Sequence, residues 1–255
     1  MELKSSNPVF GRTFEGSAVH TGYGKSMTIS GTVNKAGILM LLVVFSAAWV
    51  WNQFFNSIGL DGQANPGAVS GYMILGALGG FVAAMVTVFK KEWAAVTAPV
   101  YALLEGLFLG GFSAVMELRF PGIAIQAVGL TFGTCLAMLL AYRSGLIRPT
   151  QKFMIGIVAA TGGIALVYFA SMILGFFHIQ IPGIFGSGPI GILFSLVVVV
   201  IAALNLILDF SVIEDGARMG APKYMEWYSA FGLMVTLVWL YLEMVRLLAK
   251  LRDRR

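Results

Sequence analysis

An all-α fold, a polytopic integral membrane bundle of about seven transmembrane helices, is predicted by three features of the sequence. The chain is 58% hydrophobic and 11% charged, whereas soluble domains carry about 25% charged residues. Its apolar residues fall in continuous runs near the ~20 residues that cross a bilayer as a helix. Those runs and the turns between them use most of the 255 residues. Lipid gives backbone groups no hydrogen-bond partner, so a spanning segment must be a helix or part of a closed barrel. Barrel strands are about 10 residues long and alternate in polarity, and no segment here does so.

The runs are 36–56, 70–89, 94–115, 122–142, 153–177, 189–213 and 227–249. Polar breaks bound them at Asp61 to Pro66, Lys90 to Glu92, Glu117 to Pro121, Arg143 to Lys152 and Glu214 to Glu226. The break from His178 to Gly188 is uncharged and rich in Gly and Pro. Three segments result: a mobile polar tail over 1–35, a transmembrane bundle over 36–250 and a basic tail over 251–255. A secretory leader would place its apolar core within the first ~15–30 residues. The first run begins only near Ala36, so no leader is expected.

Lys and Arg collect on the cytoplasmic side of membrane proteins. Lys4, Arg12, Lys25, Lys35, Lys90, Lys91, Arg143, Arg148, Lys152, Arg218 and Lys223 share one side, against Arg119 in the opposite loops. A multi-pass protein of the cell (inner or plasma) membrane with a cytoplasmic N-terminus is expected. Arg246, Lys250, Arg252, Arg254 and Arg255 lie outside if the seventh segment spans, and inside if it returns. The uninterrupted part, Trp227 to Leu242, is slightly short of a span, and both outcomes stay open.

Several motifs carry no chemistry. The net charge of +5 comes from residues flanking the spans, with no basic soluble face for nucleic acid. The single cysteine, Cys135, forms no disulfide within the chain. His20 and His178 lack neighbours at metal-ligand spacing. Gly186, Gly188 and Gly191 spell G-x-G-x-x-G, but a nucleotide site needs a preceding strand. No nucleophile has a recognisable partner, so neither an enzyme nor a cofactor is expected. Gly76 with Gly80, Gly106 with Gly110, and Gly129 with Gly133 have the spacing that lets helices approach closely in lipid.

The informative residues are acids inside apolar runs, where insertion of Asp costs about 2.5–3.5 kcal/mol. Glu105 lies about 16 Å along the third helix, near mid-membrane. Asp209 closes the apolar run of the sixth helix, with Asn205 one turn earlier on the same face. Glu243 closes the run from Trp227 to Leu242. It either pairs with Arg246, three residues on, or meets Asp209. Two carboxyl groups in a low dielectric do not both ionise cheaply, so such a pair shares a proton and titrates as a unit. Ionised, it attracts a hard cation such as Ca²⁺, which favours oxygen ligands.

At these residues the chain resembles the Bax inhibitor (TMBIM) family, and within it the bacterial branch with an extended N-terminal tail. The resemblance covers roughly 36–250. It rests on Ala98-Pro-Val-Tyr-Ala-Leu-Leu-Glu-Gly-Leu-Phe-Leu-Gly110, Gln126 with Thr131, Leu208-Asp-Phe210 and Leu240-Tyr-Leu-Glu243. It implies six helices around a central C-terminal one. It also implies a pH-sensitive Ca²⁺ leak controlled by acids on the sixth and seventh helices, which by motif are Asp209 and Glu243. Members usually have Asp at the second position, and the stretch between the acids is longer here. A basic residue near the cytoplasmic end of the second helix can hold the acids in such proteins, and Lys90 and Lys91 lie in that region.

The leading expectation is a proton-gated cation leak, with Asp209, Glu243 and Glu105 on the ion pathway. Asn205, Lys90 and Lys91 support them, and Asp209 with Glu243 forms a transient Ca²⁺ site. The alternative is a non-transporting regulator that binds another membrane protein, such as a membrane protease. A proton-coupled carrier using Glu105 is the third.

Overall fold

The computed structural model describes residues 26–58, 67–177 and 183–254. Seven helices make up its frame: α1 (Ile29–Asn56), α2 (Gly67–Phe89), α3 (Ala94–Arg119), α4 (Ile123–Arg143), α5 (Gln151–Phe176), α6 (Pro189–Arg218) and α7 (Met225–Asp253). All seven are long and apolar enough to cross a membrane. Large apolar side chains such as Leu41, Phe45, Phe81 and Leu166 are exposed on the outer surface, as a bilayer requires and water would not permit. The expected mobility of residues 1–25 falls outside the described residues.

Helix ends follow local chemistry. Thr28 caps α1 by accepting from the Gly31 amide at 3.0 Å, so α1 starts seven residues before the apolar run, inside the segment expected to be tail. Thr150 caps α5 through the Phe153 amide, and Pro189 opens α6, where its missing N–H leaves no bond unmade. Between α3 and α4, Gly122 adopts φ +81°, and Glu117 accepts from the amides of Gly122 at 2.5 Å and Ala124 at 3.1 Å.

Helix α7 packs directly on α1, α3, α4 and α6, while α5 packs on α6 and α2 chiefly on α3. The C-terminal helix is therefore central. It also spans: Met27 donates to the Ala221 carbonyl before α7 begins, whereas Arg252, near its end, donates to the Pro121 carbonyl at 2.7 Å. Residues 26 and 254 thus stand on opposite faces. The apparent shortness of the seventh run has a physical cause, because charges in its last turns are satisfied inside the protein. Lys250, only 6% exposed, donates to the carbonyls of Ile184 and Gly191.

Close helix crossings use glycine where backbone meets backbone. A Cβ on Gly106 would lie 2.4 Å from the Val43 carbonyl oxygen, and one on Gly110 2.4 Å from that of Ala47, both on α1. A Cβ on Gly76 would lie 2.5 Å from the Leu104 carbonyl of α3. Gly129 and Gly133 have the same spacing, yet nothing lies within 4 Å of a Cβ at either. Gly106→Ala is expected to destabilise by about 1–3 kcal/mol through overpacking. Gly129→Ala is expected to be neutral or stabilising by up to ~1 kcal/mol. Reversible unfolding in mixed micelles distinguishes the two.

Candidate functional site

Asp209 sits two-thirds of the way along α6, nine residues before its end at Arg218, or about 14 Å by helical rise. Its Oδ2 is buried without a hydrogen-bond partner. The nearby hydroxyl is Thr236 of α7, which donates to the Gly232 carbonyl at 3.3 Å. Cys135 of α4 lies within electrostatic reach. Asp209 is half-buried as a residue, with its Oδ2 held among α4, α6 and α7 and an acceptor left open. Buried polar atoms of that kind are rare and point to a proton, an ion or water.

Asn205, one turn away, faces a different neighbour. Its amide donates to Thr161 Oγ1 of α5 and to the Ile201 carbonyl, each at 2.8 Å. This bond joins the outlying α5 to α6.

Glu243 is 1% exposed, but it does not meet Asp209. Its level on α7 is seven residues beyond Thr236, about 10 Å by helical rise. There its Oε1 accepts from Arg246 at 2.6 Å and from the Tyr168 hydroxyl at 3.0 Å. Arg246 also donates to the Tyr168 oxygen at 2.6 Å and covers the Tyr168 ring at 4.9 Å. Of the two arrangements open to Glu243, the structure forms the one with Arg246, inside the protein and braced by α5. The two acids read as a pair thus lie at separate levels alongside α7, Asp209 on α6 near Thr236 and Glu243 on α7 about two turns further on.

Glu105 is half-buried on α3 and faces α2. A Cβ on Gly80 would lie 3.1 Å from its Oε2, so the absence of a side chain there makes room for the carboxyl. Eleven residues from the start of α3 put it about 16 Å deep, close to the level of Asp209.

A fourth acid was not legible as a site. Glu226 is fully buried at the first turn of α7. It accepts from the Thr28 amide and hydroxyl, each at 2.9 Å, and from Lys223 at 2.6 Å, and it pairs with Lys35. A Cβ on Gly31 would overlap its carboxyl group. Glu226 thus locks the start of α1 to the α6–α7 turn. In sequence it closes a polar break and looks like a solvated loop acid. Its only signal was Lys223 three residues before it. The basic residue that holds a buried acid on this face is Lys35 of α1, with Lys223. Lys90 directly follows α2, and Lys91 lies 5.4 Å over the Tyr228 ring.

No group of three metal-ligating side chains converges among the described residues, and Asp209 and Glu243 do not form a joint cation site in this conformation. What the fold defines is a seven-span membrane bundle whose central helix passes one satisfied and one unsatisfied carboxyl group. The family model described as Bax inhibitor 1 like matches residues 7–253, nearly the whole chain, and the chain belongs to that family. No curated protein and no solved structure matches it.

Glu226→Gln is expected to weaken the α1 lock by about 1–3 kcal/mol, the size of hydrogen bonds to a charged group. Amide exchange over residues 28–35 should accelerate while that of α6 is unchanged.

Proposed function

We propose that this membrane protein is a proton-gated cation leak, with Ca²⁺ as the favoured ion, and that Asp209 is its gating acid. The observation that carries this reading is the buried Asp209 oxygen with no partner. A carboxylate enclosed in apolar surroundings costs several kcal/mol unless it is compensated. A proton compensates it in the closed state. When that proton leaves, the charge calls in water or a hard cation, which oxygen ligands favour. The opening must separate α6 from α7 at Thr236, because those helices enclose the group. Family membership supports the class of activity.

In this reading Glu243 acts as a second, distinct element. Its contacts with Arg246 and Tyr168 close the path at the level nearer the C-terminal end of α7. Glu105 supplies an acceptor at the depth of Asp209 on the α2–α3 side. The N-terminal face is the cytoplasmic one. Among the described residues it holds Lys35, Lys90, Lys91, Arg143, Arg148, Lys152, Arg218 and Lys223, against Arg119, Arg246, Lys250, Arg252 and Arg254 on the other. The bias persists with a spanning α7 and follows the positive-inside rule.

Ca²⁺ flux into proteoliposomes across a pH series tests the proposal. The sign follows from the mechanism: low pH keeps Asp209 neutral and the path closed, and rising pH opens it. Asp209→Asn should lose the pH dependence and stay slow throughout. Glu243→Gln should free Arg246 and raise flux at all pH values while keeping the slope. An Asp209→Asn protein that retains wild-type pH dependence contradicts the proposal. A regulator without transport would show no flux in any variant.

A further inference from the structure

A cavity of about 430 Å³ opens within the span, lined by α1, α3, α4 and α7. Its walls include Ala48 and Trp51 of α1, Leu109 of α3, Val128 of α4, and Met234 and Tyr241 of α7. Helices α1 and α4 do not pack on one another, so the cavity is a groove open to the bilayer between them. Its hydroxyl groups already bond within the protein. Ser113 and Tyr241 share a hydrogen bond of 2.6 Å, and Thr131 donates to the Ala127 carbonyl at 2.8 Å. A hydrogen-bonding ligand therefore finds no unmet hydroxyl there, whereas a hydrocarbon chain fits. From Met40 to Trp51 the groove follows eleven residues of α1, about 16 Å by helical rise, near half of the ~30 Å hydrocarbon core. That is the depth of one leaflet.

The end of the groove nearest the C-terminal face carries positive charge. Arg252 is eleven residues, about three turns, beyond Tyr241 on the same stripe of α7. Its guanidinium lies over the first turn of α4, on the Pro121 carbonyl at 2.7 Å and Gln126 Oε1 at 2.8 Å, beside the groove residues Ala124 and Ile125. Two bonds leave part of its five-donor fork unused. Arg119 is exposed nearby and reaches Asp253 at 3.3 Å, and Arg254 is exposed. Of the two acids there, Asp253 pairs with Arg119, and Glu117 is turned onto the α4 amides. Guanidinium groups at headgroup level select phosphate.

We propose that this groove is a binding site for one membrane phospholipid, with an acyl chain between α1 and α4 and its anionic headgroup at Arg252. The site is separate from Asp209 and does not depend on the proposed leak. The test is native mass spectrometry with lipid extraction on full-length protein purified in mild detergent, then titrated with vesicle-derived phosphatidylglycerol or phosphatidylcholine. Wild type should retain one phospholipid and prefer the anionic one. Ala48→Trp and Val128→Trp, which fill the groove from opposite walls, should each lose it. Leu166→Trp, on the exposed face of α5, should retain it. Arg252→Gln should weaken the anionic lipid about tenfold, the size of one charge-assisted hydrogen bond, and leave phosphatidylcholine unchanged. Should either filling variant misfold, as judged by its elution and melting, the other decides. Equal lipid retention in wild type and a folded filling variant overturns the proposal. So does wild type that carries no phospholipid, or one in which a second copy of the chain covers the groove.

Discussion

A polar group inside a bilayer has only the protein to satisfy it, and this constraint orders the structure. Lys250 reaches two carbonyls near the start of α6, Asn205 reaches Thr161 on α5, and Glu243 is enclosed by Arg246 and Tyr168. Glu226 is the most heavily satisfied of all, with two lysines, an amide and a hydroxyl around one carboxylate. Each of these groups makes at least one bond to another element, so the polar groups act as pins between helices that apolar packing alone would let slide. Among the acids Asp209 differs: its Oδ2 is buried with no partner, as are the hydroxyls of Ser195 and Ser229. The open oxygen of Asp209 stands out because an unmet carboxyl group costs far more inside a bilayer than an unmet hydroxyl.

The pins work because the helices come close enough to need them. Gly106 and Gly110 let α1 lie backbone to backbone on α3, and Gly76 does the same for α2. Those three helices form one packed unit. Helix α7 rests against it on one side and against α4 and α6 on the other. A motion that separates α6 from α7 can therefore occur beside a rigid partner. The Glu226 lock ties α1 to the turn between them, which couples the N-terminal segment to the same region.

Much of this was legible in the sequence, because length and hydropathy fix a membrane span directly. Seven runs became seven helices, and the motif residues carried the family. What was not legible depended on neighbours. Gly129 and Gly133 share their spacing with Gly106 and Gly110, but spacing names a helix face and not what packs on it. Asp209 and Glu243 lie on adjacent helices, yet their levels differ by about two turns, and sequence gives no depth until the start of α7 is known. That start was hidden because Glu226 reads as a loop acid, although burial and four donors make it part of the interior. The end of α7 was obscured for the same reason, since Arg246 and Lys250 look like a solvated tail and are instead bonded inside.

The central claim is that Asp209 holds a proton in the closed bundle and loses it when the path opens. Infrared difference spectroscopy of the protein in lipid, stepped from acid to alkaline pH, reads this directly. A protonated-carboxyl band that disappears with rising pH in wild type, and is missing from Asp209→Asn but kept in Glu243→Gln, is the predicted result. A band that is unaltered by Asp209→Asn would contradict the account.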